Sequence, residues 1–116
     1  MLEIIESNLT INVSNLDTSI SFYNSIGFTL QQRWGDYFAQ LVAPGLVIGL
    51  HPASPEQLKG NSGNVSLGFA TDNIEFTKFQ LSELSIIVTE RTEDGGAFLH
   101  FNDPDGTSLY FIKPKW

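Results

Sequence analysis

The segment that decides the fold is NVSNLDTSISFY at residues 12–23, followed by IGF at residues 26–28. Asn15 carries a side chain that can cap the start of a helix, and Gly27 can adopt the left-handed conformation that ends one. Apolar residues recur between them at helical spacing, at Leu16, Ile20 and Tyr23. Because these signals agree, the sequence predicts a helix over residues 16–26.

Strand-like segments surround this helix. Residues 8–13 alternate polar and apolar side chains, which is the pattern of a strand with one buried face. Three further strand-like runs follow the helix, with turn residues between them, at 28–33, 36–42 and 46–51. The first half of the chain is therefore predicted to have the element order βαβββ.

The second half repeats this order. Residues 52–64 are rich in Pro, Gly, Ser and Asn and are predicted to form an exposed linker. Beyond it, four residues lie 58 positions after similar residues of the first half, namely Leu67, Phe69, Ile74 and Glu75. A helix is predicted over residues 73–81, and strands are predicted at 86–90, 97–102 and 108–112. The segment 103–106, Asp-Pro-Asp-Gly, suits a tight turn before the last strand.

The domain organisation follows from this repeat. The chain has 116 residues, which is enough for one domain with a sizeable core. We therefore expect a single domain over residues 1–116. It divides into module 1 at about 5–51, the linker at 52–64 and module 2 at about 65–116.

Composition excludes several classes of function. Six Lys and Arg against thirteen Asp and Glu give a net charge of -7, which disfavours nucleic acid and anionic membrane surfaces as partners. The chain has no cysteine, so disulfides, thiolate catalysis and Cys-type zinc sites are excluded. The first six residues include acids and lack the pattern of a signal peptide or an anchor, so we expect a cytoplasmic location.

Strand parity predicts which side chains point away from the helices. Leu9, Ile11, Leu67, Phe69, Leu109 and Phe111 are expected to face the helices. The opposite face can curl into a cavity. Its expected residues are mostly polar: Asn8, Thr10, Asn12, Ser66, Gly68, Ser108 and Tyr110.

Residues 12–23, 26–28 and 101–106 resemble recurring signatures of the glyoxalase/bleomycin resistance protein/extradiol dioxygenase superfamily, also called the vicinal oxygen chelate superfamily. The resemblance implies an α+β fold in which two tandem βαβββ modules form a curled mixed sheet with helices on the outer face. The superfamily includes isomerases, dioxygenases, epimerases, antibiotic-modifying enzymes and drug-sequestering binders. The resemblance therefore indicates a fold and leaves the reaction open.

The resemblance also implies where a metal would be bound. Metal enzymes of the superfamily typically place ligands on the first and last strand of each module. In this sequence those positions fall on Asn8, Gly49, Ser66 and Tyr110. A divalent first-row metal needs about three or four His, carboxylate or thiolate ligands. We therefore expect no metal and no cofactor.

The candidate ligand-binding residues combine polar positions of the predicted cavity with aromatic and histidine side chains near it. They are Asn8, Thr10, Asn12, Trp34, Phe38, Gln40, His51, Ser66, His100 and Tyr110. We expect Asn8, Ser66 and Tyr110 to lie close together on the cavity floor. Arg33 is expected to bind a surface carboxylate rather than an anionic ligand. No residue is assigned a catalytic role from the sequence.

Three functions remain open. The leading hypothesis is a protein of the bleomycin-resistance type that binds a small molecule in a polar, aromatic-rimmed cavity without the usual metal site. The second is a metal-independent or divergent glyoxalase-like lyase or isomerase that uses His51 or His100 with Tyr110. The third is an interaction module with a vestigial cavity. We also expect a homodimer, to which Trp116 contributes.

Overall fold

The order of secondary-structure elements repeats once along the chain. The structure is a computed structural model, and it describes residues 1–61, 63–93 and 96–114. The first half contains β1 (Leu9–Val13), α1 (Leu16–Ser25), β2 (Thr29–Trp34), β3 (Phe38–Ala43), β4 (Leu46–Pro52) and α2 (Pro55–Leu58). The second half contains β5 (Ser66–Ala70), α3 (Ile74–Glu83), β6 (Thr89–Glu93), β7 (Gly96–Asn102) and β8 (Ser108–Pro114).

Each half forms its own compact unit around a four-stranded sheet. The units comprise residues 1–59 and 60–116. The strand orders are β1-β4-β3-β2 and β5-β8-β7-β6, and neither sheet closes. In both sheets the first strand of the module pairs in parallel with the last, while the remaining pairs are antiparallel. This arrangement confirms the predicted α+β fold of two βαβββ modules.

The residues that flank helix α1 determine where it begins and ends. The Asn15 side chain accepts a hydrogen bond from the backbone N–H of Thr18 at 2.9 Å, which satisfies a group that would otherwise be unpaired at the helix start. Gly27 follows the helix with φ 121°, a conformation that side chains rarely allow. The fully buried Tyr23 then meets Phe28 edge to face, with ring centroids 5.4 Å apart. These contacts attach α1 to the start of β2.

The cores of the two units are built from alternate strand residues. In the first unit, Leu41, Ile48 and Leu50 are fully buried on the side of the sheet that α1 contacts. In the second unit, Leu99 and Leu109 are fully buried on the side of the sheet that α3 contacts. Burying one such side chain stabilises the fold by about 1.5–3 kcal/mol. Within the described residues, no helix combines the length and the apolar character needed to cross a membrane.

The start of the sixth strand differs from the prediction. A strand was expected at residues 86–90, but β6 spans Thr89–Glu93. Helix α3 continues to Glu83, and Ser85 has φ 59° while the N–H of Ile86 bonds back to the carbonyl of Leu81 at 3.0 Å. The chain therefore uses residues 84–88 to leave the helix before β6 begins.

The predicted linker contains ordered structure. Strand β4 continues to Pro52, and the short helix α2 lies within the segment expected to be exposed loop. Its start is a capping box, because the Ser54 side chain and the Gln57 side chain each bond to the other's backbone N–H. Ser54 and Gln57 are the sequence signal for this helix, and they stand within a segment whose Pro, Gly and Ser content is typical of a loop. The single domain over residues 1–116 stays a prediction.

The turn before β8 forms around a buried carboxylate. Asp103 Oδ1 accepts hydrogen bonds from the backbone N–H groups of Asp105 and Thr107, both at 2.9 Å. Only 5% of Asp103 is exposed, and Gly106 has φ 93°. One side chain therefore holds the predicted turn at 103–106, because it accepts the hydrogen bonds that two backbone N–H groups would otherwise donate to water.

We expect Asp103→Ala to destabilise the fold by about 1–3 kcal/mol, because it leaves a buried backbone N–H without an acceptor. Asp103→Asn keeps an oxygen at the same place and should retain most of the stability. Denaturant unfolding of the three proteins measures the difference. Equal midpoints for the wild type and Asp103→Ala would show that the carboxylate does not hold the turn.

Candidate functional site

The first sheet has a polar face on the side away from α1. Thr10 and Gln40 both pair with Gly49, whereas the neighbouring Ile11 and Leu50 pair on the buried side. Thr10 is exposed, and Ile11 is buried. The burial pattern therefore agrees with strand parity, and it places the polar residues of β1, β4 and β3 on one open face.

A cavity of about 570 Å³ opens on this face. Its lining is Glu6, Ser7, Asn8, Gln31, Gln40 and Val47. Of the ten candidate ligand-binding residues, Asn8 and Gln40 belong to this lining. Among the residues that the structure describes, Glu6 is the one charged residue that lines the cavity, and no basic residue does. The cavity therefore offers one carboxylate among amide and hydroxyl groups.

Two glutamines form the wall of the cavity on the β3 and β2 side. The Gln40 amide donates to the Gln31 side-chain oxygen at 2.6 Å. This leaves the Gln31 amide nitrogen as donor and the Gln40 oxygen as acceptor. On β1, the Thr10 hydroxyl donates to the Asn8 side-chain oxygen at 3.4 Å. A ligand in the cavity would meet both donors and acceptors.

Sequence reasoning missed four of the six lining residues. Glu6 and Ser7 come just before the first predicted strand, and Val47 lies within an apolar run. Gln31 comes into the lining beside a register shift between Leu30 and Gln32. A bulge of this kind turns the strand locally, and the single sequence carries no signal for it.

Aromatic side chains lie at the end of the β2–β3 hairpin. Trp34 and Phe38 are paired residues, and their ring centroids are 5.6 Å apart. The Phe38 ring lies over Gly49, since a Cβ on that glycine would be 2.3 Å from Phe38 Cζ. Trp34 is 42% exposed. Both were predicted as ligand-binding residues, and neither lines the cavity.

Three further candidates on the first sheet also lie outside the cavity lining. Asn12 and His51 are paired residues of β1 and β4, and Thr10 precedes them on the same face. His51 is exposed. His51 therefore lacks the enclosed surroundings that are typical of a general base or of a ligand-binding histidine.

The second sheet brings Ser66, His100 and Tyr110 onto one face. Tyr110 pairs with Gly68 on one side and with His100 on the other. The His100 and Tyr110 ring centroids are 5.7 Å apart, and the Ser66 hydroxyl donates to Ser108 Oγ at 3.1 Å. The prediction that Asn8 lies close to Ser66 and Tyr110 stays a prediction.

Gly68 determines how Tyr110 lies on the second sheet. A Cβ on Gly68 would be 2.3 Å from Tyr110 Cζ and 2.4 Å from its hydroxyl oxygen. The Tyr110 ring therefore lies across β5, over the backbone that glycine leaves open. The absence of a side chain at Gly68 is what permits this position.

Arg33 binds surface carboxylates, as predicted. Its guanidinium donates to Asp17 at 2.6 Å and to Asp36 at 3.0 Å, and its Nε donates to the Gly35 carbonyl at 2.7 Å. The hydrogen bond to Asp17 is the main reason that the pKa of Arg33 is raised. These contacts join Arg33 to helix α1 and to the turn after β2, so carboxylates of the same unit already engage its guanidinium and it is not positioned for an anionic ligand.

The potential metal ligands are scattered. In the ranges 1–61, 63–93 and 96–114, no three His, Asp or Glu residues come together in a group that could hold a metal ion. The positions implied by the resemblance hold an amide at Asn8, no side chain at Gly49, a hydroxyl at Ser66 and a phenol at Tyr110.

Comparison with known families agrees with this architecture. The sequence profile of the Glyoxalase/Bleomycin resistance protein/Dioxygenase superfamily matches residues 7–111. The chain belongs to this superfamily. The match spans both modules, and it includes the signature segments at 12–23, 26–28 and 101–106. None of the curated proteins compared with the chain matches it.

Several solved structures share the fold. The glyoxylase/bleomycin resistance protein/dioxygenase domain from Frankia sp. EAN1pec is 23% identical, with a TM-score of 0.76, and 99% of this chain and 100% of that chain are covered. A bleomycin-binding protein complexed with bleomycin is 18% identical, with a TM-score of 0.70 and coverage of 97% and 100%. Lactoylglutathione lyase from Agrobacterium tumefaciens is 16% identical, with a TM-score of 0.74 and coverage of 93% and 92%. At these identities, the likeness establishes the fold alone.

We expect Gly49→Ala to destabilise the protein by about 1–3 kcal/mol, because the new methyl group overlaps the Phe38 ring and forces it to move. In a Phe38→Ala background the same substitution should cost much less, since the overlapping ring is gone. A double-mutant cycle from denaturant unfolding measures this coupling. An equal cost in both backgrounds would mean that Phe38 does not lie over Gly49.

Proposed function

We propose that the chain binds a polar small molecule in the cavity of the first sheet and does so without a transition metal at the superfamily's usual positions. The observation that carries this proposal is the cavity of about 570 Å³, whose lining in the described part of the chain is polar except for Val47. Small-molecule sites typically occupy 300–1,000 Å³ and orient the ligand through a few polar groups. The superfamily relative complexed with bleomycin is consistent with this class of function.

The proposed binding residues differ in how directly the structure supports them. Asn8 and Gln40 line the cavity and are proposed as direct contacts. Thr10 supports Asn8 through its hydroxyl. The other candidates are proposed separately for each sheet, namely Asn12, Trp34, Phe38 and His51 for the first sheet and Ser66, His100 and Tyr110 for the second.

The metal-free part of the proposal rests on the chemistry of the donor set. Gly49 provides no ligand atom, and the Phe38 ring fills the space where a side chain would begin. Asn8, Ser66 and Tyr110 provide neutral oxygen and nitrogen atoms, which bind first-row divalent metals poorly. These residues do not fit the metal site implied by the superfamily.

We expect zinc, nickel, manganese and iron to leave the melting temperature unchanged. A metal that binds only the folded state must raise it, and the rise grows with metal concentration. Thermal unfolding with each ion, and elemental analysis of the purified protein, make the measurement. Specific stabilisation by one of these ions would contradict the metal-free proposal.

Ligand binding itself is tested by screening the ¹⁵N-labelled protein against bleomycin and a library of polar fragments. We expect hits to shift the amide resonances of the cavity lining, and Gln40→Leu to weaken their binding about two- to tenfold by removing a hydrogen-bonding amide. Gln80→Leu is the matched control, since Gln80 is an exposed residue of α3 that does not belong to the lining. Shifts that avoid the lining residues altogether would contradict the proposal.

A divergent glyoxalase-like lyase or isomerase is the second candidate function. The pairing of His100 with Tyr110 favours it, because these two side chains are able to move protons and lie next to each other. If the chain is a binder, lactoylglutathione incubated with it in EDTA should remain unconsumed. Turnover that persists in EDTA and is lost in both His100→Asn and Tyr110→Phe would replace the binding proposal with this enzyme.

The homodimer stays a prediction, and Trp116, its expected contributor, lies outside the described residues. The cytoplasmic location also stays a prediction.

A further inference from the structure

The outer side of helix α3 carries two exposed aromatic side chains. Thr77 and Leu81 are the buried residues of this helix, which packs on β7 and β8 of its own sheet. Phe76 and Phe79 lie on the opposite side of the helix, and they are 55% and 57% exposed. Residues three apart are neighbours on a helix, so the two rings form one apolar patch.

The internal repeat shows that the fold does not need apolar side chains at these two positions. Helix α1 is the counterpart of α3 58 positions earlier, and both helices begin with an asparagine N-cap. Phe76 corresponds to Thr18, and Phe79 corresponds to Ser21. Both of these polar residues are exposed, and α1 still packs on its own sheet. Folding of the module therefore does not account for the two phenylalanines, and large apolar side chains grouped on a surface are typical of a contact with another molecule.

Carboxylates border the two rings. Glu75 lies one helical turn before Phe79 and Glu83 lies one turn after it, and both glutamates are exposed. We call the two rings and these two glutamates the α3 outer face. The one basic residue of the helix, Lys78, donates to Glu90 of β6 at 2.5 Å. The α3 outer face therefore combines apolar rings with negative charge.

The charge of this face decides what can occupy it. A second copy of the chain would bring carboxylates against carboxylates, and each copy has a net charge of -7. An anionic membrane surface or a nucleic acid would be repelled for the same reason. A protein segment that carries Lys or Arg beside its own apolar side chains complements both the rings and the carboxylates.

We propose that the α3 outer face binds a basic amphipathic segment of another protein. The apolar side chains of the segment pack on Phe76 and Phe79, and its Lys or Arg side chains pair with Glu75 and Glu83. The rings exclude water at the centre of the contact, and the ion pairs at its border make the binding dependent on salt. This face belongs to the second unit alone, so the binding of a small molecule by the first sheet does not depend on it.

The test titrates the ¹⁵N-labelled chain with a synthetic peptide of about 15 residues that has Leu and Lys at helical spacing. We expect shifts of the amide resonances of residues 75–83, and an affinity that falls as the salt concentration rises. One control peptide has the same composition in scrambled order, and another has Glu in place of Lys. Each of them should bind at least about tenfold more weakly.

The main variant replaces the rings with the residues that α1 has at the same positions. In Phe76→Thr/Phe79→Ser the affinity for the peptide should fall about tenfold or more, while the melting temperature stays close to that of the wild type. Tyr37→Ser is the matched control, since Tyr37 is 80% exposed on the first unit, and it should leave the affinity unchanged. Glu75→Gln/Glu83→Gln should weaken binding about two- to fivefold and reduce its dependence on salt.

Several outcomes would overturn the inference. A large drop in the melting temperature of Phe76→Thr/Phe79→Ser would show that the rings stabilise the fold. Light scattering that finds a wild-type dimer and a monomeric variant would show that a second copy covers the face. Failure of the basic amphipathic peptide to bind, equal binding of the control peptides, or shifts that avoid residues 75–83 would each exclude the proposed partner.

Discussion

The parallel pairing of the first strand of each module with its last strand is the constraint on which both candidate surfaces depend. It places Thr10 beside Gly49 and Gly68 beside Tyr110, although about forty residues separate the members of each pair. A parallel pair needs a long connection, and here the helix and two strands of the module provide it. Once the pair forms, every side chain of these strands is assigned to the helix side or to the open side.

The alternation of side chains along each strand therefore positions both the core residues and the residues of the candidate site. Leu50 is fully buried against the helix side, while its neighbour Gly49 faces the opposite way beneath the Phe38 ring. In the second sheet, Leu109 is buried and the adjacent Tyr110 joins the open face. A glycine beneath an aromatic ring occurs in both sheets. Each glycine lacks a side chain, and this leaves room over its backbone for a ring from the next strand.

Membership of the superfamily limits the architecture far more than the chemistry. Relatives of the same fold include a protein complexed with bleomycin and a lactoylglutathione lyase. What a member does depends on the few side chains that project from the open faces. In this chain, amides, hydroxyls and aromatic rings occupy those positions. Such groups favour recognition through hydrogen bonds and stacking, and this is why a binding function is the better supported proposal.

The sequence by itself determined most of the elements and their faces, because caps, turns and alternation are local properties. Asn15, Gly27 and the turn at Asp103 were identifiable from their own neighbours. Tertiary structure alone decided which open-face residues meet. The bulge that accompanies Gln31 in the cavity lining and the unpartnered Nε2 of His100 both depend on the register between strands. The alternation along one strand shows which face each residue takes, but the residue it meets on the next strand depends on the pairing of the two strands and on the turn between them.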